Sequence, residues 1–184
     1  MNKKQQPTID IGRLVLRPFV IDDASEVQRL AGDREIASTT LIPHPYEDGM
    51  AEKWIETNQE KFLLGENIWW AITHRKQGFL IGAISLMIIE KHEKGELVFW
   101  IGKPYWNNGY CTEGVQAVIR FGFEVMQLNK VFATHLTRNP ASGRVMQKSG
   151  MKCEGYLKQY IKKWRRQEDL VCYGILKNEY DKSK

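Results

Sequence analysis

Residues 96–136 carry the pattern that most limits how this chain can fold. The segment ELVFWIG (96–102) is apolar and aromatic, as expected of a strand, and KVFATHL (130–136) is a second such run. Between them, apolar residues recur at helical spacing from Val115 to Met126, directly after a glycine-containing turn. Strand, helix and strand in this order imply a crossover connection, which leaves the two strands parallel. The sequence therefore predicts a sheet that contains a parallel pair and has a helix packed on it.

Three apolar, β-branched and aromatic runs predict an antiparallel meander ahead of the crossover, because short turn-like stretches separate them. They are IWWAITH (68–74), FLIGAISLMII (79–89) and the run at 96–102. Two further strands are expected at about 151–161 and 168–176, joined through the basic stretch KKWRR. The sheet is therefore predicted to be mixed and mostly antiparallel, which places the chain in the α+β class.

The remaining segments supply one more strand and the other helices. TIDIGRLVLRPF (8–19) alternates in the manner of a half-buried strand, and STTLIPHPYED (38–48) is typical of a loop. Asparagine followed by proline, at 139 and 140, suits the cap and the first turn of a helix. Helices are expected from Asp22 or Asp23 to Gly32, from about Glu47 to Leu64 and from Asn139 to Gly150.

Composition limits the class of protein. A length of 184 residues predicts a single domain, 1–184, and no apolar run reaches the roughly 18 to 20 residues of a membrane span, so a cytoplasmic protein is expected. Three scattered cysteines and four scattered histidines have neither disulfide nor metal-ligand spacing, so we expect no metal. A net charge of +5 mildly favours anionic partners and is compatible with a phosphate-bearing cofactor, but it falls far short of that expected for a nucleic-acid-binding protein.

The turn WNNGYCTEG, residues 106–114, comes directly before the predicted crossover helix. Unpaired N–H groups and the positive end of the helix dipole meet at a helix start, so a glycine turn can bring them against a phosphate. The turn has neither the GxxxxGK[ST] of a Walker A loop nor the GxGxxG of dinucleotide-binding folds. The purely structural alternative is that Gly109 makes a left-handed turn and Thr112 caps the helix.

Together, these segments resemble the core of the GNAT superfamily of acyl-CoA-dependent N-acyltransferases. The family's loop, Q/R-x-x-G-x-G/A, falls on Trp106 to Cys111, with tryptophan in place of glutamine or arginine and cysteine in place of the second small residue. Tryptophan followed by G-Y-x-T-E is similar to the subgroup that contains the ribosomal-protein N-terminal acetyltransferases. RLVLRPF (13–19), N-P-x-S (139–142) and the run from Ser149 to Gly155 also match that subgroup, so the resemblance spans nearly the whole chain.

The resemblance implies a GNAT fold with a splayed parallel strand pair, and acetyl-CoA as the co-substrate. The loop's backbone would hold the pyrophosphate, and the strand at 96–102 would pair with the pantetheine arm. Ser142 resembles a serine proposed to protonate the leaving thiolate, and Asn139 matches a position that faces the pantetheine, with a helix cap as its alternative. The cofactor-binding residues implied are Phe99, Trp100, Ile101, Trp106, Asn107, Asn108, Gly109, Tyr110, Cys111, Thr112, Asn139 and Ser142.

The resemblance leaves the general base open. A ribosomal-type relative carries a glutamate in the strand after G-x-L-K-Q, but the aligned residue here is Ile161, which cannot accept a proton. Glu96, at the start of the 96–102 strand, is the carboxylate expected to replace it, with an exposed strand-end charge as the alternative. A base can also act through water. The catalytic residues implied are therefore Ser142 and Glu96.

The acceptor is implied only as a class of amine. The subgroup points to the N-terminal α-amine of a protein, whereas Ile161 favours a small amine such as an amino acid, a polyamine or an antibiotic. A non-catalytic acyl-CoA sensor and a non-binding structural module are further alternatives. His44, Tyr46, Trp69 and Trp70 are candidates for an acceptor pocket, although at least one of the adjacent tryptophans is expected in the core. The basic stretch KKWRR could attract an acidic protein or ribosomal RNA, or it could form a solvated hairpin. Members of the subgroup often form homodimers, so the resemblance also implies a possible homodimer.

Overall fold

The computed structural model describes residues 5–182, which form one eight-stranded sheet flanked by helices. The strands are β1 (Ile9–Ile11), β2 (Leu14–Pro18), β3 (Asn67–His74), β4 (Leu80–Ile89), β5 (Lys94–Ile101), β6 (Lys130–Leu136), β7 (Lys152–Lys163) and β8 (Arg166–Leu176). The helices are α1 (Ala24–Ala31), α2 (Arg34–Thr39), α3 (Met50–Leu63), α4 (Tyr110–Glu124), α5 (Pro140–Lys148) and α6 (Lys177–Lys182). The strand order is β1-β2-β3-β4-β5-β6-β8-β7, which confirms the mixed, mostly antiparallel α+β sheet.

The first predicted strand is in fact two strands. TIDIGRLVLRPF folds into the β1–β2 hairpin, in which Ile9 lies opposite Leu16 and the turn falls at Gly12 and Arg13. The alternation of apolar and polar residues continues through this two-residue turn, so periodicity alone could not separate the two strands. The predicted meander is confirmed, and the hairpin extends it to five antiparallel strands, β1 to β5.

Four helices form where the sequence predicts them, as α1, α3, α4 and α5, and two short ones form where it does not. α2 covers the start of the predicted loop, and the Asp33 carboxylate accepts a hydrogen bond from the N–H of Glu35 at its first turn. α6 follows β8 directly. Helices of six residues are too short for hydrophobic periodicity to reveal. Within residues 5–182, no helix has both the length and the apolar character required to cross a bilayer.

The parallel pair predicted from the crossover is confirmed, but it is short. Lys94–Glu96 of β5 pair with Lys130–Phe132 of β6, which makes three residue pairs. Beyond them β5 continues along β4, while β6 continues along β8. The two strands therefore diverge, and a wedge opens between them in the middle of the sheet.

Apolar clusters on both faces of the sheet hold the wedge in place. α4 covers one face, where its Val115 and Val118 pack with Leu97 and Ile101 of β5. α1 and α3 cover part of the other face, around Trp100. Successive side chains of a strand point to opposite faces, so Val98, which is exposed, lies on the same face as Trp100. Part of this second face is therefore open to solvent beside the wedge.

The hairpin of β7 and β8 is bent near its tip. Residues 158–160 of β7 lie opposite Asp169 alone, which makes a bulge of three residues against one. The Asp169 carboxylate accepts a hydrogen bond from the N–H of Gln159 at 2.7 Å and so stabilises the bulge. Because bulges bend a strand and re-aim its side chains, the β7–β8 tip, defined here as residues 158–168, departs from the line of the sheet.

Candidate active site

A pocket of about 540 Å³ opens at the end of β5, between α2 and the first turns of α4 and α5. It brings together segments that are far apart in the sequence. Of the twelve cofactor-binding residues implied by the sequence, eleven line this pocket, and Asn108 is the exception. The wall also includes residues of α2 and the loop after it, which the sequence analysis did not single out: Glu35, Ile36, Ser38, Thr39 and Thr40.

The first turn of α4 faces the pocket with its backbone donors. Gly109 is the N-cap residue, with φ of +81°, and no side chain of residues 5–182 caps the helix. The alternative in which Thr112 acts as the cap is therefore not observed. The first N–H groups of a helix have no intrahelical partner and carry the positive end of the dipole. The turn can consequently bind an anion such as a phosphate through its main chain.

Arg13, in the β1–β2 turn, fixes the loop before α4. Its guanidinium lies 2.6 Å from the Glu113 carboxylate, donates to the carbonyl of Asn108 and stacks over the Tyr110 ring at 4.4 Å. The hydrogen bond to Glu113 raises the pKa of Arg13, so the guanidinium stays protonated. The first residue of the RLVLRPF motif therefore positions the turn before α4, a role that the sequence did not predict.

Trp106 anchors the same loop to β5. Its indole Nε1 donates to the carbonyl of Ile101 at 2.7 Å. Asn108 also serves the loop, since its amide donates to the carbonyls of Tyr105 and Trp106 at 3.2 and 2.9 Å. These side chains shape the turn and leave its main chain available to a ligand.

The main chain of β5 offers hydrogen-bonding groups to the wedge. The N–H of Gly102 donates across to β4 at 2.8 Å, and residues of an antiparallel pair alternate between bonded and non-bonded positions. Trp100 therefore directs its N–H and carbonyl toward β4, while Phe99 and Ile101 direct theirs toward the wedge. Trp106 already occupies the Ile101 carbonyl. An extended ligand in the wedge would accordingly pair mainly with Phe99.

Asn139 and Ser142 form a reciprocal pair at the start of α5. The N–H of Ser142 donates to Oδ1 of Asn139 at 3.4 Å, and Nδ2 of Asn139 donates to the Ser142 hydroxyl at 3.0 Å. Asn139 is thus the helix cap that the sequence allowed, and it also orients the serine. Because the Ser142 oxygen accepts a hydrogen bond here, its own hydrogen remains available for donation into the pocket.

His135 of β6 lies directly behind α5. Its Nδ1 is 2.8 Å from the carbonyl of Leu136, and its Nε2 is buried without a hydrogen-bond partner among the residues described. A β-carbon on Gly143 would lie 2.8 Å from that nitrogen. The helix that carries Ser142 can therefore approach β6 this closely because residue 143 is glycine.

Glu96 lies outside the pocket, at the point where β5 and β6 separate. Alternation along β5 places its side chain on the partly open face, with Val98 and Trp100. The side chain is half-buried, and burial raises the pKa of its carboxyl, while Lys94 acts in the opposite direction. Glu96 therefore lies at the closed end of the wedge, where the last β5–β6 pair joins it to Phe132.

The residues considered for an acceptor pocket divide between core and surface. Trp70 is fully buried and donates to the carbonyl of Pro7 at 2.8 Å, which confirms that one of the adjacent tryptophans is core. Trp69 and Tyr46 are half-buried against the cluster below α1 and α3. His44 is exposed and contacts a residue of the β7–β8 tip, as described below.

Cys111 and two basic residues complete the pocket wall. Burial raises the pKa of the Cys111 thiol to about 12, so the side chain stays small and uncharged beside the start of α4. Arg144 and Lys148, one helical turn apart on α5, line the pocket and add positive charge to it. Neither was predicted from the sequence, although their spacing of four residues on a predicted helix places them on one face.

The splayed strands, the uncapped helix start and the oriented serine define a class of enzyme, the acetyl-group transferases with this fold. Residues 13–152 match the acetyltransferase (GNAT) domain, and the chain belongs to that family. It is 28% identical over 172 residues to the N-acetyltransferase YoaA of Bacillus subtilis, with 93% of this chain and 97% of the relative covered. YnaD, an N-acetyltransferase of the same organism, is 30% identical over 175 residues, with 92% and 96% covered. The protein is therefore an acetyl-CoA-dependent N-acyltransferase.

Solved structures share this architecture. A GNAT-family acetyltransferase from Bacillus anthracis superposes with a TM-score of 0.83 at 26% identity, over 94% of this chain and 99% of that one. RimL, a ribosomal L7/L12 α-N-protein acetyltransferase solved with coenzyme A, gives 0.86 at 16% identity, over 92% and 98%. A spermidine N-acetyltransferase from Vibrio cholerae, solved with coenzyme A and spermine, gives 0.79 at 21% identity, over 91% and 98%. The last two share the fold with this chain and are named for different acceptors.

Proposed function

We propose that the protein transfers the acetyl group of acetyl-CoA to the N-terminal α-amine of a protein or peptide. One observation supports this most directly: the uncapped start of α4, the main chain of Phe99 and the Ser142 hydroxyl all border the same pocket. These three groups suit the pyrophosphate, the pantetheine arm and the thioester of one extended molecule. The motifs RLVLRPF and N-P-x-S support a protein α-amine as the acceptor.

The chemistry follows from where the groups lie. The amine nitrogen bonds to the thioester carbonyl carbon, and the carbon–sulfur bond breaks. Glu96 takes the proton of the incoming ammonium, directly or through water, and its raised pKa brings it closer to neutral pH. An N–H of β5 that faces the wedge stabilises the oxyanion, a contribution typically of about 10²- to 10³-fold in kcat. The nitrogen of the tetrahedral intermediate then loses its second proton to water. Ser142 donates its proton to the leaving thiolate and regains one from solvent.

The first test is thiol release from acetyl-CoA with a panel of N-terminal peptides and small amines, spermidine included. Turnover that depends on a peptide supports the proposal and identifies the acceptor sequence. Turnover with small amines alone would contradict the proposal and show that the protein acetylates small amines, the second candidate function, which the apolar Ile161 favours.

A pair of glycine variants tests the cofactor half of the proposal. Gly109→Arg places a long side chain in the turn proposed to hold the pyrophosphate. Gly65→Arg is the matched control, because Gly65 also has a positive φ, +78° against +81°, and lies in open space outside the pocket. We expect acetyl-CoA affinity, measured by calorimetry, to fall at least about tenfold in Gly109→Arg and to stay within about twofold in the control. Equal affinities would argue against a pyrophosphate site at this turn.

A further inference from the structure

The β7–β8 tip carries positive charge that the rest of the structure does not neutralise. Its single carboxylate, Glu168, is paired with Arg138, which lies just before α5. Five cationic residues lie within the nine positions from 158 to 166: Lys158, Lys162, Lys163, Arg165 and Arg166. None of the five forms an ion pair with a carboxylate of residues 5–182.

The tip lies at the entrance to the candidate active site. Arg138, besides pairing with Glu168 at 3.1 Å, donates to the carbonyl of Ser38 at 2.5 Å. Ser38 belongs to α2 and lines the pocket. On the same side, the Trp164 ring lies 6.1 Å from the His44 ring, in the loop that follows α2. The tip therefore lies beside α2 and the loop after it, and Arg138, which directly precedes Asn139, connects the tip to the pocket wall.

Lys163 distinguishes this tip from a solvated basic hairpin. It is only 7% exposed, and its ammonium lies 4.9 Å from the centre of the Trp164 ring. Burial lowers the pKa of Lys163, as does Arg138, while Glu168 acts in the opposite direction. Among residues 5–182 the Lys163 ammonium has no paired carboxylate, so an anion brought by a ligand would compensate its charge.

We infer that the acceptor is a peptide whose residues directly after the N-terminal amine are acidic. The inference rests on the proposed function and adds to it the chemical class of the acceptor. The same cations would repel a polyamine. The cations lie on both strands of the hairpin and in its turn, with Lys163 opposite Arg166, so they present several separate charges. Several separate charges suit carboxylates on successive residues better than one small anion. A peptide also supplies the aliphatic amine that the reaction consumes, which RNA does not.

The test compares three peptides of equal length with the same free N-terminal residue. They carry glutamate, glutamine or lysine at positions 2 to 5, and spermidine is the fourth acceptor. We expect kcat/KM to be on the order of tenfold or more higher for the glutamate peptide than for the lysine peptide at low salt. The difference should shrink as added salt screens the exposed charges.

A charge-reversal variant tests whether the β7–β8 tip causes the preference for the glutamate peptide. Arg165→Glu with Arg166→Glu should raise the KM of the glutamate peptide about tenfold and leave its kcat nearly unchanged, because rim charges act on encounter and binding. The matched control reverses two exposed lysines of α3, Lys53→Glu with Lys61→Glu, which changes the net charge equally. Lys163→Met, which preserves the buried stem, should also weaken the preference for glutamate.

Peptide binding is measured separately, by fluorescence anisotropy of labelled peptides with coenzyme A present. If the lysine peptide or spermidine is the best acceptor, the inference is overturned, and the acetyltransferase activity stands. If no amine is acetylated but the glutamate peptide still binds best, and tip reversal abolishes this, the inference stands and the proposed function fails. If single-stranded RNA binds through the tip and the peptides are not distinguished, the inference is also overturned.

Discussion

Replacing Trp106 with phenylalanine removes a single hydrogen-bond donor from the loop before α4. The indole Nε1 donates to the carbonyl of Ile101 at 2.7 Å, and Ile101 is only 7% exposed. The lost bond is worth about 0.5 to 1.5 kcal/mol net, and a carbonyl left buried and unpaired costs about 1 to 3 kcal/mol. Phenylalanine keeps most of the ring packing, so we expect a loss of about 1 to 2 kcal/mol in the free energy of unfolding. For a chain of this length, that corresponds to a fall in Tm of about 2 to 8 °C.

The same substitution should weaken acetyl-CoA binding. The loop has two anchors, Trp106 to β5 and Arg13 to α4, and with one removed the ligand itself must order the loop. An ordering cost of about 1 kcal/mol predicts roughly fivefold weaker affinity by calorimetry. Trp164→Phe is the control, since within residues 5–182 its indole makes no hydrogen bond, and acetyl-CoA affinity should not change. A Trp106→Phe protein with lower Tm but unaltered affinity would show that the indole stabilises the fold without preorganising the site.

Three further predictions concern the base, the helix behind the serine and the second loop anchor. Glu96→Gln should lower kcat by about 10²- to 10⁴-fold with acetyl-CoA affinity intact. In the wild type, kcat/KM should fall as the pH drops through the raised Glu96 pKa. Because the pKa of Glu96 is higher in the folded than in the unfolded protein, its ionisation destabilises the fold at any pH above the unfolded-state pKa. Glu96→Gln should therefore be at least as stable as the wild type when both are unfolded by denaturant at neutral pH. Gly143→Ala would press on His135 and should lower stability by about 1 to 3 kcal/mol and reduce kcat, whereas Gly155→Ala, in open space, should change neither. Arg13→Met should raise the KM for acetyl-CoA several-fold with little change in kcat, and an unchanged KM would remove Arg13 from the preorganisation of the loop.

The sequence predicted the parts of the fold that depend on periodicity. The crossover from β5 to β6, the meander before it and the amphipathic α4 each bury one face over many residues, so their patterns are long. The β1–β2 turn and the six-residue α2 were missed because a two-residue turn and a short helix leave no periodic signal. Whether an element was predicted therefore depended on the length of its periodic pattern and not on its location in the fold.

For the candidate site, what could be predicted depended on whether a residue acts within a local motif or through a long-range contact. Residues that act within one local motif, such as Gly109 at a helix start and Asn139 as a cap, could be identified from neighbouring letters. Arg13 and Glu113 are a hundred positions apart, and their contact depends on the completed sheet. The direction in which Phe99 presents its backbone depends on strand register, which periodicity does not determine. Long-range pairing and register are therefore what the structure adds.

With three residue pairs, the ladder between β5 and β6 is the shortest seam between two interior strands of the sheet. The β1–β5 portion and the β6–β8 portion each have continuous ladders of their own, so backbone amides in the two portions can exchange with solvent as separate cooperative units. A strand-like ligand in the wedge lengthens the seam and joins these units. Acetyl-CoA would then act as a temporary ninth strand, and each release of coenzyme A would return the middle of the sheet to its three residue pairs.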